Sequence, residues 1–344
     1  MYSAFLLRTK EAISQLEKHI RASDRFRTLV FDGALKCVSV APCFDQAIVS
    51  TDAFADRTHW RIIDHCTAVT RIYAIYENFT HEMIREHLAF LQSRLAFSEL
   101  PDAVRSSYRL GVAKILEKKA GPRFGDIDLA QLIGGYDKAL SGKDYTLEPR
   151  AMLMQEQNLR LLELQRLMNA CGVEGSVDWI EQHREVRNFF ETNNRLAASA
   201  GSEMAELIKY RNDAAHGTLD IGDILHANVL IEFCHFVAAV CEALAEKVQL
   251  AGLECLRQHS QVGQRGSVTK SLKGDTVAIG VMTGTFQVGS TVYLCGATYC
   301  LERRIMSLQL EGVSYERVDL VTATALGIEL DAPGKKNSVL MMIE

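Results

Sequence analysis

Near residue 260 the hydrophobic period of this chain changes. Before that point apolar residues recur three and four positions apart; after it they alternate with polar ones. A helical period cannot settle into strands, nor an alternating one into helices. The sequence therefore predicts a multidomain α and β chain, and 344 residues suffice for two domains. The expected division is a helical domain over 1–258, a polar glycine-containing linker over 259–267, and a small β-barrel over 268–344.

Helices are expected over 2–22, 60–97, 101–121, 150–172, 176–200 and 203–217, with a last one from Asp220 to about Leu250. The second carries one stripe of Ile62, Cys66, Val69, Tyr73, Tyr76, Met83, Ile84 and Leu91, with Glu77 inside it. The last is apolar over more than one face, which points to its own core and to a second subunit. Residues 26–56 have no clear period beyond a short strand at Val38–Ala41. Strands are expected at Asp275–Val281, Ser290–Cys295, Cys300–Leu310, Arg317–Leu330 and Asn337–Ile343.

Charge and cysteines narrow the function classes. A net charge of −5 opposes broad non-specific binding to nucleic acid, so an RNA substrate would need a local basic patch. The basic candidates are Arg184, Arg187 and Arg195, read as a lip beside the helix that ends at Gly217. The 9 cysteines form no Cys-x-x-Cys pair. Cys37 with Cys43, and Cys234 with Cys241, read as buried thiols, so no metal and no cofactor is expected. No signal peptide is evident, which fits a reducing cytoplasm, and no apolar run is long enough to predict a membrane span. His81-Glu82-Met83-Ile84-Arg85 is not a zinc-protease motif, because Arg85 stands where the second histidine belongs.

The functional signal lies in Glu203–Gly217. Met204, Leu207, Ile208 and Arg211 share one helical face, which takes a guanidinium toward the core. A charge there needs a partner. His216 follows, and Gly217 is a helix stop. On an ideal helix Arg211 and His216 are about 140° apart. They share a site only if the helix ends near His216 or a second subunit contributes. The bland alternative is an ordinary helix end, with Arg211 in a core ion pair and His216 capping carbonyls.

The string Arg211-Asn212-x-x-x-His216-Gly217 resembles the signature of the HEPN superfamily of ribonucleases, and Tyr76-Glu77-Asn78-Phe79 resembles a segment of its restriction- and repair-linked branch. The resemblance implies an α-helical bundle and metal-independent RNA cleavage by an Arg and a His. It also implies a cleft shared by a homodimer, and 2′,3′-cyclic phosphate and 5′-hydroxyl products. RNA supplies its own nucleophile, so such an enzyme needs only proton transfer and charge stabilisation. His216 has the ordinary pKa for the first, and Arg211 the donor fork for the second. Asn212 would hold a phosphate or orient the histidine. Glu77 is expected to form a salt bridge with Arg211 across two packed helices. HEPN toxins controlled by adenylylation carry a tyrosine two residues after the histidine; Thr218 stands there, so that control is not supported.

Ala278–Leu294, with Gly284, Phe286, Gly289 and Val292, and then Ala325–Leu330, is similar to the second domain of elongation factor Tu. No P-loop is present, so the chain is not a GTPase. The expectation is an endoribonuclease, a toxin or anti-phage effector, with the barrel selecting tRNA, ribosomal RNA or a protein partner. The alternatives are a non-catalytic RNA- or protein-binding dimer and an adaptor that docks on the translation machinery.

Overall fold

A computed structural model describes residues 2–32, 54–155, 157–194, 198–217, 219–272, 274 and 276–344. The strand expected at Val38–Ala41, Cys37, Cys43, Arg195 and Thr218 lie outside the described residues. The helices are α1 Ser3–Phe31, α2 Arg57–Gln92, α3 Asp102–Glu117, α4 Leu129–Leu140, α5 Leu161–Ala170, α6 Ser176–Gln182, α7 Arg184–Thr192, α8 Ala200–His216 and α9 Ala227–Gln258. The strands are β1 Val262–Leu272, β2 Val277–Gln287, β3 Thr291–Gly296, β4 Tyr299–Leu310, β5 Val313–Tyr315, β6 Arg317–Leu330 and β7 Val339–Ile343.

The bundle is built around α9, which packs on α1, α2, α6 and α7. Its fully buried Phe236, Val237, Val240 and Leu244 share a core with Val69, Tyr76, Phe79 and Met83 of α2. The α2 stripe is therefore as expected. Asp56 starts that helix by accepting from the N–H groups of Thr58 and His59. Two expected helices are shorter than the period implied. In 150–172 only Leu161–Ala170 is α-helix, and 176–200 breaks at His183 into α6 and α7. Asp220 caps a single 3-10 turn, Ile221–Asp223, and α9 begins only at Ala227.

The extra apolar faces of α9 do not need a second subunit. Ala243, Leu244, Ala245 and Glu246 are consecutive and all buried, so the helix is enclosed all round there. The barrel covers what the bundle leaves: β1 and β4 pack on α9. Tyr293, Cys295, Cys300 and Met341 belong to the core of the bundle. By length and composition α9 also passes as a membrane span, with a mean hydropathy of 1.6, which the expectation of no such run had missed.

Six antiparallel strands close in the order β3-β7-β1-β2-β6-β4, through the pairing of β3 with β4; β5 adds to the outer edge of β4. Met282, Phe286, Leu294, Ile305, Leu326 and Leu340 fill the interior. The expected linker is mostly strand: β1 starts at Val262. Gly266 in it and Gly280 on β2 serve close strand approach. A Cβ on Gly266 would lie 2.1 Å from the Val281 carbonyl oxygen, and one on Gly280 would lie 2.0 Å from that of Ser267.

The bundle–barrel junction holds a buried charge network. The Arg184 guanidinium bonds Glu246 at 2.6 and 2.9 Å and Glu242 at 2.7 Å. Glu246 also accepts from the Cys300 N–H at 2.9 Å and faces His183 at 3.4 Å. Burial pushes the Glu246 carboxyl up, but His183 and Arg184 outweigh it and hold the group at about 2. Elsewhere His87 lies buried between the Tyr2 hydroxyl at 3.3 Å and the Cys171 carbonyl at 3.2 Å, and burial lowers it to about 4.

Two tests follow from this packing. Gly280→Ala is expected to lower the barrel's stability by about 2 kcal/mol or more, because backbone must move. Gly134→Ala, in open space on α4, is expected to raise stability by about 0.5–1 kcal/mol; denaturant titration reads both. The second test is acid unfolding. Both folded pKa values lie below the ordinary ones of 6.5 and 4.5, so the unfolded chain binds the protons first. Stability from neutral His87 is present above pH 6.5 and lost as pH falls toward 4. That from Glu246 is present above 4.5 and lost toward 2. Each contributes on the order of 3 kcal/mol. In Glu246→Gln the loss of melting temperature between pH 4.5 and 2 is expected to be smaller than in the parent.

Candidate active site

Helix α8 sets the site. Ser199 caps its start together with Ser202, and the Glu181 carboxylate accepts from the Ala200 and Gly201 N–H groups at 2.9 and 3.1 Å. Met204, Leu207 and Ile208 are fully buried, and α8 packs on α2. Gly217 ends the helix in the left-handed region at φ +69°, as its position after His216 predicts. The segment beyond is tied back to α2: the Leu225 N–H donates to Nδ1 of buried His65 at 3.1 Å. Burial lowers the His65 pKa, against the charges of Asp213 and Asp223.

Arg211 is half-buried, and its guanidinium carbon lies 4.9 Å from the centre of the Tyr73 ring. One Nη1 donates to Asn212 Oδ1 at 3.2 Å and, more weakly, to Asn158 Oδ1 at 3.4 Å. Asn158 Nδ2 donates to the same Asn212 oxygen at 3.0 Å. Asn212 therefore orients the arginine, not the histidine. The expected Glu77–Arg211 salt bridge does not form. The Tyr73 hydroxyl lies between the two side chains and donates to Glu77 Oε1 at 3.1 Å, while it accepts from the Leu159 N–H at 2.8 Å. Burial, aided by the Glu77 charge, pushes the phenol up to about 12, so it stays a donor. Glu77 is half-buried and takes its second bond from Gln155 Nε2 at 2.7 Å; the Gln155 oxygen faces His81 Nε2 at 3.0 Å. Glu77 thus acts on Arg211 only through the Tyr73 ring.

The result is a cation with no carboxylate partner among the described residues. Its partners are two amide oxygens and an aromatic face, all neutral, and the guanidinium retains unused donors. His216 is exposed at the helix end and hydrogen-bonds no described residue. No group of three His, Cys, Asp or Glu side chains among the described residues is arranged to hold a metal.

The basic lip is not assembled as expected. Arg184 is consumed by the junction network, because α7 packs on α9. Arg187 is exposed on α7, and Arg195 is outside the described residues. Tyr73, Asn158 and Gln155 were missed as site residues. Tyr73 stood in the apolar stripe, and its spacing of one helical turn from Glu77 was the available signal. Asn158 and Gln155 lie outside any helix or strand, where no period marks them.

The barrel is similar over a small region to the crystal structure of the C-terminal domain of a putative U32 peptidase from Geobacillus thermoleovorans. That match has 16% identity and a TM-score of 0.21, and covers 23% of this chain and 90% of that one. A likeness this slight bears on neither the barrel's fold nor its role, and the expected likeness to elongation factor Tu is not confirmed. No curated protein matches the chain. The sequence model of the RiboL-PSP-HEPN family matches residues 44–249, more than half of the chain and the whole of α2 through α8, and the chain belongs to that family.

Proposed function

We propose that this chain is an endoribonuclease that cleaves RNA without a metal. The observation that carries the reading is Arg211, a half-buried guanidinium held in place by neutral partners, five residues before an exposed histidine on the same helix. A phosphate would supply the missing negative charge. In the reaction the ribose 2′-oxygen attacks phosphorus and loses its proton to a base. The bond from phosphorus to the 5′-oxygen breaks, and that oxygen takes a proton. The products are a 2′,3′-cyclic phosphate and a 5′-hydroxyl. Arg211 would stabilise the charge on the non-bridging oxygens, and His216 would move a proton.

Among the described residues of one chain the two side chains make no hydrogen bond to each other or to a common residue. The reading therefore includes a homodimer whose two motifs face one cleft, as the HEPN resemblance implies. The barrel would select the RNA, with tRNA or ribosome-bound RNA as the target and toxin or anti-phage defence as the role. The barrel is no loose appendage, since Glu246 and the bundle core depend on it.

Cleavage of a labelled RNA pool in EDTA tests the reading. Arg211→Ala and His216→Ala are each expected to lower the rate by about 10²–10⁴-fold while the fold is kept. Wild-type rates in folded variants would remove the chemistry from Arg211 and His216, and RNA binding without any cleavage would put the chain among non-catalytic binding modules. Tyr73→Phe separates support from chemistry. It keeps the ring under Arg211 but leaves the Leu159 N–H, on a fully buried residue, without its acceptor. A stability loss of about 1–3 kcal/mol is expected by thermal unfolding, with a smaller loss of cleavage than in Arg211→Ala.

A further inference from the structure

A second feature lies at the other end of the segment that supports Arg211. The C-terminal turn of α3, the loop 120–124 and Met154 enclose a cavity of about 330 Å³. Its walls are apolar at Pro122, Phe124 and Met154, and its rim carries Lys114, Lys118 and Arg123 against one acid, Glu117. That is a positive rim on a chain of net charge −5. The loop is held in shape from inside. Lys119 Nζ donates to the carbonyls of Phe124, Gly125 and Ile127 at 3.2, 2.8 and 2.5 Å. Arg123 donates to the carbonyls of Leu153 and Gln155.

The cavity and the candidate active site are served by neighbouring residues of one chain segment. Met154 lines the cavity, Gln155 bonds Glu77 beneath Tyr73, and Asn158 bonds Arg211. We infer that this cavity is a subsite for one nucleotide, its base against Pro122 and Met154 and its phosphate on the lysine rim. The size suits a nucleotide, an apolar wall accepts any base face, and the rim matches the phosphate charge. The inference rests on the nuclease reading for its substrate class. On that reading it holds a nucleotide a short way along the strand from the scissile phosphate. The same chemistry would also accept a free mononucleotide.

Binding, not cleavage, tests it, so the outcome is readable even if the chain cuts no RNA. The parent is the full chain with His216→Ala, and the probe is a short fluorescein-labelled single-stranded RNA followed by anisotropy. Met154→Trp fills the cavity, and Lys114→Glu reverses an exposed rim charge. Each is expected to weaken RNA binding by about tenfold. Competition by 5′-mononucleotides marks a site that also takes the free nucleotide. Weakened binding in the variants without competition marks a site for the RNA chain alone, and both results uphold the subsite. Parent-like affinity in Lys114→Glu, shown by circular dichroism to be folded, overturns it, as does a parent that binds no RNA.

Discussion

The enclosure of α9 is the constraint on which the rest of the molecule depends. A helix buried over a full turn has no free face on which to place a charge, yet Glu246 lies on that turn. The cost of a buried carboxylate requires partners. Arg184 from the start of α7, His183 before it and the Cys300 N–H from the barrel provide them. The break between α6 and α7 follows from the same demand, because a continuous helix would not turn both His183 and Arg184 onto α9. The barrel is thereby joined to the bundle by a polar contact inside an apolar one.

A different solution is used for Arg211. A direct ion pair with Glu77 would leave the guanidinium neutralised and its donors spent. The Tyr73 ring between them lets the carboxylate fix the phenol while the arginine rests on the ring face. The carboxylate's influence on the guanidinium is weakened by that layer, and the cation keeps donors for a ligand. Structural arginines of this chain look otherwise: Arg184 and Arg150 each bond two carboxylates.

Much of this was legible in the sequence where period and capping agree. The α2 stripe, the end of α8 at Gly217 and the change from helix to strand near residue 260 all rest on local rules that tertiary packing did not override. What failed were inferences about partners. Charge on a stripe said that Arg211 and Glu77 each needed company, but not that a tyrosine one turn away would provide it. Excess apolar surface on α9 said that something covers it, but not that the barrel does. Gly266 read as flexibility, because close backbone approach has no signature in the residues themselves. Asn158 and Gln155 lie outside any helix or strand and are held by contacts distant in sequence.

The placement of His216 carries the last step. Its backbone is fixed on both sides, by the packed body of α8 before it and by the bond from Leu225 to His65 after Gly217. Its ring is nonetheless exposed and bonded to nothing described. Arg211, five residues earlier, is turned the other way, onto Tyr73 and Asn158. An exposed imidazole at a packed helix end is accessible to a bound ligand. A ribose 2′-hydroxyl held by a phosphate on Arg211 would be one, and the arginine of a second copy would bring that phosphate within reach. On the proposed reading the cleft is completed by two copies.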